Sequence, residues 1–387
     1  MNTELLILLD LAIVIVLAKS LEELIVRLGQ PPILGDLLAG IIIGPTVLGL
    51  VKATHNVEVI GWLGIVVLIF LAGLETDIEA AKKYGLKAVL VALGGVLATF
   101  FLAYIIALLF NYSYITALFI ATILSPTSVS VTSMTLLELG VIRTRIGEII
   151  LGAAFADDVM AMALFALTSS IAYYGEVKHE SIIQISLALI IIFSIFYLLY
   201  KFSNKLFNRV IMSSRLIDTP MIQLLIIGML MAVLSSYLGL SPLIGAYLAG
   251  LALSKVVKER TYRFLEIFAQ IISPFFFVYA GILLNPWIVV GKINMYNAIG
   301  VVVAIVLAGI VGKILGCGGV AKAMGLDTRS SITIGVGMMP RAGVDLVIAV
   351  VGLTLGVLTM ELYLSALILI YVTSLTTPIL LKKLLTH

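Results

Sequence analysis

The sequence predicts an all-α polytopic membrane protein with about 13 transmembrane helices, arranged as two inverted six-helix repeats joined by a linker helix. Of its 387 residues, 62% are hydrophobic and 12% are charged. An average soluble domain is roughly 45–50% apolar and about 25% charged, so this chain lacks the polar surface of a soluble protein. The apolar segments are continuous and lack the period-two alternation of a barrel wall, which excludes a transmembrane β-barrel. A motif that recurs after 210 residues indicates the repeat.

Apolar runs long enough to cross a bilayer define the helices in chain order. A transmembrane helix needs about 20 apolar residues, and thirteen runs approach that length. The predicted spans lie at 4–28, 31–51, 57–75, 86–110, 114–137, 144–173, 181–200, 218–237, 241–256, 265–285, 296–317, 329–353 and 361–381. Their connections are short, so we expect a single transmembrane unit over 1–387 without a soluble domain.

Basic residues between the spans predict the orientation in the membrane. Cytoplasmic loops carry an excess of Lys and Arg. When successive loops are assigned to alternate sides, 18 of these residues fall on one side and 3 on the other. We therefore expect a cell-membrane protein with its N-terminus outside and its C-terminus in the cytoplasm. The net charge of +3 is too small to indicate a nucleic-acid partner.

Two halves of the chain resemble each other. Residues 28–40 align without a gap on residues 238–250, and Pro126 lies 214 residues before Pro340. Equivalent helices are seven spans apart, an odd number, so the two halves should have opposite orientations. Inverted repeats of this kind are typical of secondary transporters. Repeat 1 is expected at 1–173 with spans 1–6, the linker helix (span 7) at 174–213, and repeat 2 at 214–387 with spans 8–13.

Matching prolines predict that spans 5 and 12 are broken. Proline removes a helical hydrogen bond, and the freed carbonyl groups must be satisfied by side chains, water or an ion. A simple kink is the alternative for either proline, but their equivalent positions favour two broken helices that cross near the bilayer midplane, where transport sites lie. The residues predicted at this crossing are Ser125, Pro126, Thr127, Ser128, Pro340 and Arg341.

Charged residues near the membrane centre indicate a site, because each costs at least about 2.5–3.5 kcal/mol to insert. Asp157 and Asp158 both lie near the middle of span 6. An ion pair with Lys313 of span 11 would explain one of the two acids. The other acid has no structural explanation and is therefore the candidate for a functional role. In the alternative interpretation, Lys313 extends toward the cytoplasmic surface.

Arg341 follows the span 12 proline, and a structural pairing is at least as plausible for it as a transport role. Its candidate partners are Glu75, Asp77 and Asp345. Several other charged residues lie in spans 1 and 2, where we expect them to face an interface or the rim of a cavity: Asp10, Lys19, Glu22, Glu23 and Asp36.

The residue types favour transport of a monovalent cation over enzymatic activity. A hard cation such as Na+ prefers carboxylate, hydroxyl and carbonyl oxygens, and competition between Na+ and H+ for one carboxylate couples their movement without a cofactor. No phosphate-binding glycine loop is present, so we expect no nucleotide. An intramembrane aspartyl protease is less favoured, because its two acids face each other across a cleft, which adjacent residues on one helix cannot do.

The sequence resembles the monovalent cation:proton antiporter-2 family, and most closely its NapA-like Na+/H+ antiporters. The resemblance rests on the two Gly-Pro repeats, on Phe-Leu-Ala-Gly-Leu-Glu-Thr-Asp at 70–77, on the Ser-Pro-Thr break and on the Asp-Asp pair. It implies the NhaA/NapA-like antiporter fold and a homodimer in the lipid membrane. Spans 1–3 and 8–10 would form the dimer or gate domain, and spans 4–6 and 11–13 the core that carries the ion.

The resemblance also implies roles for individual residues. Asp158 would be the main carrier of Na+ and H+, Asp157 would pair with Lys313, and Thr127 and its neighbours would line the crossing. Potassium-efflux relatives carry Gln-Asp, so the Asp-Asp pair favours Na+. We therefore expect exchange of cytoplasmic Na+ or Li+ for external H+, with net charge movement. A K+/H+ or other cation/proton exchanger, or a sodium-coupled symporter on the same scaffold, is the alternative.

Overall fold

The computed structural model describes residues 3–28, 30–52, 54–75, 78–139, 141–142, 144–174, 179–206, 219–284, 295–341 and 343–385. Within these ranges the chain forms fifteen helices and no strands. In chain order they are α1 (Thr3–Arg27), α2 (Pro32–Ile43), α3 (His55–Glu75), α4 (Ile78–Leu109), α5 (Tyr114–Ile123), α6 (Val129–Glu138), α7 (Arg145–Tyr174), α8 (His179–Leu206), α9 (Thr219–Tyr237), α10 (Pro242–Leu253), α11 (Glu259–Leu283), α12 (Met295–Ala323), α13 (Thr328–Gly337), α14 (Val344–Thr354) and α15 (Met360–Leu385).

Each predicted span coincides with a helix, and spans 5 and 12 each coincide with two. Seven of the described helices are long and apolar enough to cross a membrane. The shorter apolar helices include α5, α14 and the Pro-initiated pair α2 and α10, which have 12 residues each. The polytopic helical fold is therefore confirmed, while the opposite orientation of the two repeats stays a prediction.

Two helix boundaries differ from the predictions for local reasons. Span 2 was expected to reach residue 51, but α2 ends at Ile43 and turns follow, because glycine at position 44 leaves the helical conformation. Span 4 was expected to begin at residue 86. The helix assigned from Ile78 contains a non-helical residue, Gly85, with φ 79° and ψ 173°. A positive φ is readily adopted only by glycine, so the predicted start lies next to this kink.

The chain divides into two compact units. The first comprises Met1–Ile15, Ala53–Ile78 and Ser169–Tyr279. Within it α10 packs closely on α3 and α9, and glycines make this possible: a Cβ on Gly73 would overlap the carbonyl oxygen of Tyr247, and one on Gly250 would overlap that of Phe70. Small residues at such contacts let two membrane helices approach backbone to backbone.

The second unit comprises Val16–Lys52, Glu79–Thr168 and Ala280–His387. Its apolar core brings together α4, α6, α7, α12 and α13 around fully buried residues such as Ala92, Leu136, Ile150, Cys317 and Ile334. The broken helices and the buried charges all belong to this unit.

Candidate ion-binding site

The two helix breaks meet within the second unit. The first break separates α5 from α6, and the second separates α13 from α14. The Thr127 hydroxyl donates to the carbonyl oxygen of Met338 at 2.9 Å, and the backbone N–H of Ser128 donates to the carbonyl oxygen of Pro340 at 2.7 Å. Polar groups of one break therefore satisfy carbonyl groups that the other break leaves without helical partners.

All six residues predicted at the crossing are buried. Ser125 donates to the carbonyl oxygen of Ala121, one turn earlier in its own helix. At the second break Gly343 has φ 135°, a conformation that residues with a side chain rarely adopt. The backbone of both breaks is thus enclosed by protein, which is the condition for irregular backbone at membrane depth.

Lys313 and Asp157 form a buried ion pair. Nζ of Lys313 donates to Oδ2 of Asp157 at 2.7 Å, and both side chains are 0% exposed. Lys313 therefore does not extend to the cytoplasmic surface in this structure. The other carboxylate oxygen, Oδ1, is buried and accepts no hydrogen bond from any residue that the structure describes.

Glycines on the neighbouring helix allow the lysine to lie inside the protein. A Cβ added to Gly95 of α4 would overlap Sγ of Cys317 and would lie 3.3 Å from Cδ of Lys313. Gly312, next to the lysine, would place a Cβ 2.7 Å from Cα of Thr99. α4 and α12 are therefore in backbone contact where the ion pair lies.

Arg341 is fully buried and has no hydrogen-bonded counter-ion among the described residues. Its Nε, Nη1 and Nη2 make no hydrogen bond within the described ranges, whereas its carbonyl oxygen accepts from Ser374 at 2.8 Å. The guanidinium lies within electrostatic range of Asp345 and Asp157. Asp345 is 4% exposed and lies in the first turn of α14, directly after the break.

The other predicted partners of Arg341 have different surroundings. Glu75 belongs to the first unit, where it is exposed and accepts a hydrogen bond from the hydroxyl of Tyr262. Asp77 lies outside the described residues. Asp345 is therefore the predicted partner that shares Arg341's unit and lies in its electrostatic range.

Asp158 has a different environment from the acid before it. Asp157 is 0% exposed, whereas Asp158 is partly exposed. Neighbouring residues on a helix point about 100° apart, so one acid can face the lysine of α12 while the other faces away from it.

Two further residues, not predicted from the sequence, hold the breaks. Thr132 donates to the carbonyl oxygen of Gly337 at 2.7 Å, and Ser374 of α15 binds the backbone of the second break. The proximity of Thr132 to the Ser-Pro-Thr break was a usable signal. Ser374 lies in a long apolar helix and carried none.

Comparison with known proteins decides the family. Residues 12–386 match the family described as sodium/hydrogen exchanger, transmembrane. The chain belongs to this family. Its resemblance to monovalent cation:proton antiporters is thereby confirmed, and the family is one of multi-pass membrane transporters. The match covers both units and every described helix from α2 onward.

Curated relatives and a solved structure agree with this assignment. The chain is 32% identical to the Na(+)/H(+)-K(+) antiporter GerN of Bacillus cereus, over 96% of this chain and 95% of the relative. It is 33% identical to the probable Na(+)/H(+) antiporter GerT of the same organism, over 97% and 98%. The sodium proton antiporter MjNhaP1 of Methanocaldococcus jannaschii has a similar structure, with a TM-score of 0.70 and 16% identity over 98% of this chain and 96% of that one. This last likeness concerns the fold alone.

Proposed function

We propose that this protein is a secondary active Na+/H+ antiporter, which exchanges cytoplasmic Na+ or Li+ for external H+ by alternating access. The observation that carries the proposal is the fully buried pair of Lys313 and Asp157. Lys313 is within electrostatic range of Arg341 in the second helix break. Family membership supports sodium and protons as the substrates.

Asp158 is the proposed carrier. A carboxylate near the middle of a membrane-spanning helix needs a counter-charge or a proton, because an uncompensated charge at that depth is costly. A dehydrated Na+ satisfies the same carboxylate, since hard cations prefer oxygen ligands. The hydroxyl groups of Ser125, Thr127 and Ser128 and the carbonyl groups of the breaks offer further oxygens. Because Na+ and H+ compete for one group, transport of one drives transport of the other, and no cofactor is required.

The ion pair adds a second acid to the cycle. Asp157 has one oxygen bound to Lys313 and a second, buried oxygen with no described hydrogen bond. In the proposed cycle Asp157 leaves Lys313 when Na+ arrives and becomes a ligand, and Lys313 then loses a proton. More than one proton is released for each Na+, so the exchange moves net charge. Asp345 and Glu75 are proposed accessory groups.

A K+/H+ exchange is the second candidate. One curated relative, GerN, is named a Na(+)/H(+)-K(+) antiporter. In this protein either activity would use the same scaffold, so a comparison of Na+ and K+ as substrates separates them.

The test of the carrier is Asp158→Asn in everted membrane vesicles. Exchange is measured as dequenching of a pH-sensitive dye on addition of Na+, Li+ or K+. We expect the variant to lose exchange while it remains folded in the membrane. The matched control is Glu148→Gln, since Glu148 is an exposed acid in the first turn of the same helix; it should keep the activity. Full exchange by Asp158→Asn would refute the assignment, and a larger response to K+ than to Na+ would favour the second candidate.

The test of charge movement uses proteoliposomes with a potential imposed by valinomycin and K+. We expect the potential to drive Na+ movement in the wild type and to have a weaker effect on Lys313→Met. If the potential changes neither the rate nor the final Na+ gradient in the wild type, the exchange is electroneutral and Lys313 is structural.

We further propose a homodimer in the cell membrane, with an external N-terminus and a cytoplasmic C-terminus. The dimer or gate domain would comprise α1–α3 and α9–α11, and the ion-carrying core α4–α7 and α12–α15. The sequence contains one cysteine, Cys317, and it is fully buried. Cysteines introduced into the loops should therefore be the reactive ones, so that impermeant labelling of intact cells reports their side and cross-linking reports the dimer.

A further inference from the structure

A second cluster of charged residues lies on α1 and α2, apart from the ion pair. Nζ of Lys19 donates to both carboxylate oxygens of Glu22, at 2.9 and 2.7 Å. The carboxyl group of Glu22 also lies close to that of Asp36 on α2. Asp36 is 3% exposed, and its Oδ1 accepts no hydrogen bond from a residue within the described ranges.

The two helices are in backbone contact at this point. A Cβ on Gly35 would lie 2.6 Å from the backbone nitrogen of Glu22. The carboxyl groups of Glu22 and Asp36 are therefore brought together by close packing of α1 on α2, and solvent cannot separate them without moving a helix.

Two carboxyl groups this close to each other can both be ionised only at a large electrostatic cost, because like charges raise each other's affinity for a proton. An ionised carboxylate only accepts hydrogen bonds, so a hydrogen bond between the two groups forms when one of them is protonated and donates. Glu22 accepts from the Lys19 ammonium through both oxygens, which stabilises its ionised form. Asp36 is buried and its Oδ1 accepts no hydrogen bond from a described residue, so an uncompensated charge there would be costly. These contacts place the proton on Asp36.

We propose that Asp36 and Glu22 form a proton-binding site separate from the Asp157–Asp158 region, in which protonated Asp36 donates to Glu22 and Lys19 neutralises Glu22. The charged groups acting on Asp36 are Glu22 and Lys19 of α1. From the other elements against α2, Tyr371 of α15 directs its hydroxyl to the carbonyl oxygen of Leu34 at 3.1 Å, and α11 meets α2 through Gly281, which has no side chain.

Loss of this proton would change the contact between α1 and α2. Asp36 and Glu22 would then both be negative, with one lysine to neutralise them, where the surroundings screen charge poorly. The two helices would repel each other at the position where Gly35 allows their closest approach. The site therefore gives this helix pair a contact that depends on one bound proton, whichever cation the protein transports.

The test is infrared spectroscopy of the purified protein in lipid nanodiscs, which detects the carbonyl stretch of a protonated carboxylic acid. We expect Asp36→Asn to remove one such band, because the introduced amide donates to Glu22 permanently. Glu22→Gln should remove the same band, because its amide donates to Asp36 and allows Asp36 to ionise. Glu23→Gln is the matched control, since Glu23 is 64% exposed and bound to Arg27 on the same helix; the band should persist.

A proton count gives a second, independent readout. The protein is titrated from acid to alkaline pH, and the protons released above the range in which ordinary carboxyl groups titrate are counted. In this range Asp36→Asn should release about one proton per chain fewer than the wild type, and also about one fewer than the Glu23→Gln control. If Asp36→Asn does not fold, Glu22→Gln alone decides, because it leaves Asp36 in place. A protonated-carboxyl band that survives both substitutions, or an unchanged proton count, would overturn the proposal. Neither measurement uses transport, so failure here is distinct from failure of the proposed exchange.

Discussion

Removing one partner of the Lys313–Asp157 ion pair leaves the other charge buried. Both side chains are 0% exposed and 2.7 Å apart. Loss of one member of such a pair typically costs about 3–5 kcal/mol, whereas replacing both by uncharged residues of similar volume is far less costly. We therefore consider Lys313→Met, which keeps most of the side-chain volume, Asp157→Asn, which keeps the shape of the carboxylate, and the double variant.

The surrounding charges make the two single substitutions unequal. After Lys313→Met, Asp157 keeps Arg341 within electrostatic range, so the loss should lie near the lower limit, about 3 kcal/mol. After Asp157→Asn, two buried cations remain with Asp345 as the nearby acid, and the loss should approach about 5 kcal/mol. The double variant should lose at least about 3 kcal/mol less than the sum, because neither charge is then stranded.

Unfolding free energies measured in detergent micelles for the four proteins complete the cycle. The exposed pair of Arg27 and Glu23, at 2.8 Å with side chains 74% and 64% exposed, provides a matched control cycle. The coupling free energy of this pair, measured with Arg27→Met, Glu23→Gln and the double variant, should stay below about 1 kcal/mol, because water screens the attraction between the two charges. Single losses in the Lys313–Asp157 cycle that add to within about 0.5 kcal/mol would refute the reasoning, since additivity means that the two sites do not interact.

Two further predictions concern packing and pH. Gly73→Ala should lower the free energy of unfolding by about 1–3 kcal/mol, because the added Cβ would overlap the carbonyl oxygen of Tyr247. Gly319→Ala is the control: a Cβ there would have nothing within 4 Å, so the substitution should be neutral or stabilising. Equal effects of the two substitutions in thermal unfolding would contradict the close helix contact. Hydrogen bonds from the side chain and the backbone N–H of Ser330 lower the pKa of Asp327, which caps α13. Because the pKa of Asp327 is lower in the folded state than in the unfolded state, the cap contributes its full stability above the pH range in which ordinary carboxyl groups titrate. This contribution is lost as the pH falls through the lowered pKa of the folded state. Asp327→Asn should keep the cap and weaken this acid dependence in pH-resolved thermal unfolding; an unchanged dependence would show that Asp327 does not contribute to it.

The spans were predictable because the bilayer leaves the chain little choice. In hydrocarbon every backbone polar group must be satisfied within the protein, so a long apolar segment becomes a helix whatever its neighbours are. The predicted breaks had the same origin, since Pro126 and Pro340 cannot donate a helical hydrogen bond. Helix ends were harder to predict, because a continuous apolar run does not reveal that α2 ends at Ile43 and that turns follow.

The sequence by itself determined the membrane class, the spans, the two breaks and the presence of paired acids near the bilayer centre. Only the tertiary structure decided that Asp157 contacts Lys313, 156 residues away, and that Arg341 is buried without a hydrogen-bonded counter-ion among the residues described. Asp157 and Asp158 are chemically identical, and the rotation of α7 alone selects which of them faces α12. That rotation is set by the packing around α7, where Ile150 lies against Gly337 of α13. Because these contacts join residues far apart in the chain, no local pattern in the sequence specifies them.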